Sequence, residues 1–331
     1  MLRCCDGVTF IIPAKNEELN IRRCISAIKA QSDLSDYYSI LVIDNGSVDN
    51  TIQIARDLGA VVYVCVDKNI SGLRNYGAAL AKGTYLAFVD ADIEITGSWL
   101  KEVYNLLKDD AVGAVGSSPN IPLYSTWVAK AWFLQKLARP EHFERPWLPS
   151  MNMVVRKNAF TAIGGFNEAL ITGEDVDFGL RLSEKYKIID SNKVTCIHHG
   201  EAQTLLKFFL KEYWRGTHNI HGLFSHGFYL KELPSILFPL LGIISIYSLP
   251  ISLYNQSFLY IASSFFIFPL LKSAVICSKT NQFRYFAKLL AVWSVYLVAR
   301  SVSLHREIFT AFIRLAKFQA PVCISGENNE K

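Results

Sequence analysis

Early in the chain, short apolar runs repeatedly end in polar clusters. Residues 8–13 (VTFIIP) lead into Lys15-Asn16-Glu17, 39–43 (SILVI) into Asp44-Asn45-Gly46-Ser47, 60–66 into Asp67, and 85–89 (YLAFV) into Asp90-Ala91-Asp92. Runs of this length, rich in β-branched and aromatic residues, predict strands covered on both faces. Between the first two the period changes: Ile21, Cys24, Ile25 and Ile28 fall at i, i+3, i+4 and i+7, one buried helical stripe. Further helices are expected from near Asp49 and over residues 74–82. The order βαβαβαβ predicts an α/β fold with a mainly parallel sheet, right-handed crossovers and helices on both faces.

In such a sheet every polar cluster lies at a carboxyl strand end, the edge where ligands bind in open α/β folds. Charge scattered without purpose would fall on both edges. Asp90 and Asp92 are separated by one small residue at the end of a buried strand, where two carboxylates need a cation. Oxygen ligands suit Mg²⁺ or Mn²⁺ shared with substrate phosphates. A plain turn ahead of the next helix would use the same residue types. Neither GxGxxG after the first strand nor GxxxxGK[ST] occurs, so dinucleotide and P-loop folds are unsupported. Phosphates would then be held by a metal and by side chains such as Arg74.

Farther on, Gly173 precedes Glu174, Asp175 and Asp177 at the head of an expected helix. Thr172-x-x-Asp175 spells a capping box, which accounts for one acid there but not for three. Asp175 is the candidate general base for a hydroxyl nucleophile, with Glu174 beside it. His198-His199 closes an expected strand at 193–197.

Taken together, IPAKNEE (12–18), VIDNGSVDNT (42–51), GLRNYGAA (72–79), Asp90-Ala91-Asp92, IGGFNE (163–168), GEDVDFGLR (173–181) and His198-His199-Gly200 resemble the successive motifs of family 2 glycosyltransferases of GT-A fold. The resemblance covers residues 7–216. It implies an inverting transfer from a nucleoside diphosphate sugar, assisted by Mg²⁺ or Mn²⁺. Pro13, Glu17, Asp44, Arg74 and Asp90 would then bind the nucleotide sugar. Asp90 and Asp92 would hold the metal, with His198 or His199 completing its coordination. Asn45 stands where many members carry a second Asp, which leaves Asp44 as the expected contact to the base.

The rest of the chain has a different character. From residue 201 onward there are 13 Lys/Arg and 6 Asp/Glu, against 21 and 23 before it. A basic, apolar end behind a mildly acidic front points to an anionic membrane surface, not to nucleic acid. Residues 205–216 form an amphipathic pattern with Lys207, Lys211 and Arg215 every fourth position, expected to lie in the interface plane; its aromatic neighbours are Phe208, Phe209, Tyr213 and Trp214. Residues 233–271 contain no charge and suit two spans broken near 254–257. Lys272, Lys279, Arg284 and Lys288 then place the following loop, and with it the catalytic domain, in the cytoplasm. A third apolar run, 289–299, is short for a span and reads as a marginal span or a re-entrant or interfacial helix. The first strand begins within a few residues of Met1, which leaves no room for a signal peptide.

Seven scattered cysteines without CxxC argue against zinc or a disulfide framework. His218, His221 and His226 lack acidic or thiol neighbours and read as interfacial. Trp127, Trp132, Phe133 and Trp147, among several prolines, are expected to face the acceptor or a membrane surface. Residues 324–331 read as disordered.

These features divide the chain into a GT-A catalytic domain (1–204), an interfacial segment (205–232), a membrane region (233–304) and a tail (305–331). The expected protein is a multi-pass enzyme of the cell (inner) membrane that extends a lipid-linked glycan or exopolysaccharide intermediate. A polyprenyl-phosphate sugar synthase is the alternative enzyme, and a non-catalytic nucleotide-sugar-binding membrane scaffold the alternative of a different class. The Gln-x-x-Arg-Trp signature of processive synthases is absent.

Overall fold

The computed structural model describes residues 7–31, 38–135, 141–217 and 233–318, with side chains to 311. The expectations for His218, His221, His226 and residues 324–331 lie outside the described residues. The first strands and helices are β1 (Val8–Ala14), α1 (Ile21–Lys29), β2 (Tyr38–Asp44), α2 (Thr51–Asp57), β3 (Val61–Val64), α3 (Ile70–Leu80) and β4 (Tyr85–Val89). β3, β2, β1 and β4 are neighbours in that order and all parallel, as the sequence pattern requires. Helix α3 starts four residues before the expected position. Asn69 caps it, its Oδ1 accepting the Gly72 N–H at 2.9 Å.

The sheet then departs from a simple wound order. After β5 (Ile93–Ile95) and α4 (Trp99–Leu106) come β6 (Val112–Gly116), α5 (Trp127–Leu134), β7 (His142–Glu144) and β8 (Asn152–Arg156). Next are α6 (Lys157–Ala162), α7 (Glu174–Ser183), β9 (Lys187–Ser191) and β10 (Cys196–His198). The eight-stranded order is β3-β2-β1-β4-β8-β6-β9-β7. β8 slots antiparallel between β4 and β6, although β6 precedes it in the chain.

Alternation along β1 builds two cores, because successive side chains leave opposite faces of a strand. Phe10 and Ile12 face α1 and α4, where they meet Ile25, Ile28 and Trp99. Ile11 faces the other way with Ile43, Phe88, Phe160 and Phe178, beneath α3, α6 and α7. The four residues of the α1 stripe are all buried, each apolar side chain worth roughly 1.5–3 kcal/mol. Trp99 Nε1–H donates to Asn152 Oδ1 at 2.8 Å, so the buried indole and amide satisfy each other.

A separate two-stranded sheet pairs β10 antiparallel with β5, setting His198 opposite Ile93. Five more helices follow among the described residues: α8 (Leu205–Gly216), α9 (Leu233–Ile251), α10 (Ser257–Ser263), which runs through a 3₁₀ turn into α11 (Ile267–Thr280), and α12 (Phe286–Phe318). Three stretches, Leu233–Ile251, Ser257–Thr280 and Phe283–Ala311, are long and apolar enough to cross a membrane. The third is much longer than the 289–299 run suggested.

The basic stripe expected on α8 is not a free cationic face. Lys211 Nζ donates to Gly200 O (3.2 Å) and Glu201 (3.3 Å), and Arg215 donates to Glu212 (2.6 Å). Phe208 is buried against Trp132, with ring centroids 5.0 Å apart. Leu206, Leu210 and Trp214 make up the exposed apolar stripe instead.

Candidate active site

The loops after β1, β2 and β4 surround a cleft of about 290 Å³ lined by Pro13, Lys15, Glu17, Asn45, Lys68, Asn69, Asp90 and Asp92. Two of those loops are laced together. Asn16, in the left-handed region at φ 56°, donates its N–H to Ser47 Oγ at 2.8 Å and accepts the Val48 N–H at 2.9 Å. Glu17 N–H donates to Thr51 Oγ1 at 2.7 Å. Burial, together with the charges of Asp92, Asp90 and Asp49, pushes the Glu17 carboxyl above its usual range despite a hydrogen bond from Asn20.

Asp44 is fully buried and accepts both the N–H (2.7 Å) and the hydroxyl of Ser47. Its carboxylate shapes the loop from below, while Asn45 lines the cleft and donates to Lys68 O at 3.1 Å. Arg74 is also beneath the cleft floor. Its guanidinium bridges Asp90 (2.8 Å) and Glu174 (2.9 Å), so one buried cation neutralises an acid from each side of the site. Phe166 stacks at 5.6 Å from it.

Gly173, at φ 79°, turns the chain into α7. The helix begins at Glu174, and the expected capping box does not form: Thr172 Oγ1–H donates to Thr217 O (2.6 Å), and Gly173 is the capping residue. The three acids of the first turn have separate fates. Glu174 is held by Arg74, and Asp177 pairs with Arg181 at 2.6 Å. Asp175 has no ion-pair partner among the described residues; its Oδ1 accepts the Val176 N–H at 2.9 Å. Water still reaches part of it, yet burial and the neighbouring Glu174 charge push its carboxyl up to about 7, with Arg74 opposing.

The two histidines part company. His198 Nε2 is 3.0 Å from Asp92 Oδ2, and its Nδ1 is 3.1 Å from Glu201. His199 instead meets Glu94 (2.7 Å) and the Tyr124 hydroxyl (3.0 Å). Burial works against charge on His198, but the two carboxylates raise its pKa. At Asp92 burial pushes the carboxyl up, but the His198 hydrogen bond together with the charges of His198 and Lys211 brings it below its usual range. Among the described residues no three His, Cys, Asp or Glu side chains are grouped to hold a metal. Asp92 and His198 nevertheless supply a carboxylate and an imidazole side by side. A Cβ on Gly200 would run into Asp92 Oδ2 and come within 3.0 Å of His198 Nε2, so the glycine is what lets the carboxylate and the imidazole close on each other there. Hard and borderline donors around a small space fit Mg²⁺ or Mn²⁺ that takes further oxygens from a substrate.

Pro13, Glu17, Asp90 and Asp92 therefore share the cleft, whereas Asp44 and Arg74 support it from beneath. Lys68 and Asn69 in the cleft, Glu201 behind His198 and Tyr124 beside His199 have no motif of their own and take these places only through the fold. Residues 9–167 match the family model described as glycosyl transferase family 2. The chain carries a glycosyltransferase family 2 domain. Glycosyltransferase AglE of Haloferax volcanii is 28% identical over 186 residues, covering 54% of this chain and 61% of that protein. A pre-mycofactocin glycosyltransferase of Mycobacterium tuberculosis is 24% identical, covering 63% and 46%. The chain thus spans about half to three-fifths of the length of these curated relatives. The family 2 domain has the GT-A fold. A mannosyltransferase, PcManGT of Pyrobaculum calidifontis, solved with GDP-Man and Mn²⁺, superposes with a TM-score of 0.59 over 90% of this chain and 86% of that one, at 17% identity. GalNAc-T7, solved with UDP, GalNAc and Mn²⁺, gives 0.50 over 68% and 52% at 15% identity.

Proposed function

We propose that this protein is a membrane-anchored, inverting glycosyltransferase. It would move a sugar from a nucleoside diphosphate donor to a hydroxyl of a lipid-linked glycan or exopolysaccharide intermediate. The observation that carries this reading is Arg74, whose one guanidinium joins the Asp90 side of the cleft to the Glu174–Asp175 side. That bridge sets a proton acceptor across from the acids that face a diphosphate.

On this reading the nucleotide enters over Pro13, Asn45 and Lys68, with Lys15 and Lys68 offsetting phosphate charge. Asp175 takes the proton of the acceptor hydroxyl as its oxygen bonds to the sugar C1. The C1–oxygen bond to the diphosphate breaks, and its electron pair leaves with the nucleoside diphosphate. Attack from the face opposite the leaving group inverts C1. A divalent cation at Asp92 and His198 would supply electrostatic stabilisation of the departing oxygens. Arg74 holds Glu174 and Asp90 in place. The three apolar stretches at 233–311 support anchoring, with the loop at 272–288 and the catalytic domain in the cytoplasm.

The test is thermal unfolding of the full chain with UDP-, GDP- and dTDP-sugars, each with and without Mn²⁺. A ligand bound to the folded state raises the midpoint by mass action. A metal-dependent rise with one donor is expected. No shift with any of them would overturn the assignment.

A further inference from the structure

A side-chain chain runs from the cleft to α8. Asp92 Oδ2 meets His198 Nε2 at 3.0 Å, His198 Nδ1 meets Glu201 Oε1 at 3.1 Å, and Glu201 Oε2 accepts from Lys211 Nζ at 3.3 Å. The His198 and Glu201 side chains are both below a tenth exposed. Lys211 also holds Gly200 O at 3.2 Å, the residue where any Cβ would run into Asp92 Oδ2. The far end of the same helix touches the other half of the site, where Thr217 O accepts from Thr172 just before Gly173. Helix α8 in turn is clamped to α12: Arg300 of α12 donates to the buried Glu212 at 3.1 Å, and Gly216 lies against Ser303.

We propose that Glu201 is a positioning residue for His198, holding Nδ1 so that Nε2 faces Asp92, and that Lys211 fixes Glu201 from α8, making divalent-cation affinity depend on how α8 is seated. This inference rests on the metal-dependent reading above. An imidazole ring can rotate about its bond to the backbone side, and a buried carboxylate on the distal nitrogen removes that freedom. Carboxylates behind a metal-binding histidine characteristically change affinity by about 10–100-fold. Glu201 has geometry suited to this because its second oxygen is already occupied by Lys211. His199, one residue on, serves as the contrast: its ring is turned to Glu94 and Tyr124.

The experiment measures Mn²⁺ binding to the detergent-solubilised full chain by electron paramagnetic resonance of the free ion, with Mn²⁺ alone and with UDP or GDP added. Glu201→Ala is expected to weaken Mn²⁺ about 10–100-fold. Glu201→Gln, which can still accept from Nδ1–H, should recover part of that loss. Lys211→Met should weaken binding less than Glu201→Ala, and His199→Gln should leave it unchanged. If Glu201→Ala fails to fold, the Gln variant and Lys211→Met still decide. Wild-type affinity in both, with binding abolished by Asp92→Asn, would overturn the positioning role while leaving the metal reading intact. Absence of Mn²⁺ binding by the wild type under every condition would overturn the metal reading and this inference with it.

Discussion

Asp175 differs from its two neighbours in having no arginine, and that difference sets its chemistry. An acid locked in an ion pair is a poor proton acceptor, whereas one raised to about 7 is matched to a hydroxyl nucleophile near neutral pH. Turnover should therefore rise as pH increases through about 7, because the base works only when deprotonated. Stability should move the other way. The folded state keeps a proton that the unfolded chain releases near the ordinary 3.8, so stability is lost as pH rises from there toward 7. Asp175→Asn should abolish both trends and slow transfer by on the order of 10²–10⁴-fold while donor binding persists. Rate profiles and urea titrations at several pH values check this. Loss of activity in Glu174→Gln with Asp175→Asn near normal would move the base by one residue.

Helix α3 and its strands show how the sequence reads and where it stops. The strands were legible because their apolar runs are short and bounded, and the cleft edge was legible because every run ends in polar residues. The start of α3 was missed since Ser71 and Gly72 are weak helix formers; Asn69 and packing on the sheet hold that turn. Pairing between distant loops was equally invisible: nothing local foretells that β10 sets His198 against Asp92, or that Thr172 reaches Thr217 in place of capping α7. Gly77 lets α3 lie on β1, because a methyl there would run into Ile11 and come within 3.2 Å of Ile43. Gly77→Ala should destabilise the domain by about 1–3 kcal/mol. Arg74→Met, which strands Asp90 and Glu174 together, should cost about 3 kcal/mol, the low end for a broken buried pair because Asp90 keeps some contact with water. Denaturant midpoints report both.

Across the whole chain, the long α12 was hidden by its own charges. Arg300 and Arg306 interrupt the apolar run, but Arg300 meets Glu212 and the Tyr296 ring, and Arg306 donates to the Tyr213 hydroxyl at 2.7 Å. Arginines that find a carboxylate and a hydroxyl on α8 no longer end an apolar helix, and no pattern within α12 announces those partners. For topology, a single cysteine at Asn255 in a cysteine-free background should react with an impermeant label from outside intact cells, whereas one at Lys279 should not. Labelling at 279 alone would invert the arrangement.

The insertion of β8 between β4 and β6 also constrains the order in which the nascent protein can mature. While translation is short of residue 152, β4 has β1 on one side and an open edge on the other, next to the future cleft. Only after β8 emerges can that edge close, and β9, ending at Ser191 between β6 and β7, fills the last gap in the sheet well ahead of Leu233. Ribosome-bound chains arrested before 152 should be cut readily by protease, and those with β9 exposed should resist. The eight-stranded sheet is thus complete in sequence before the first helix long and apolar enough to cross a membrane is synthesised, which lets the sheet close ahead of whatever receives that helix.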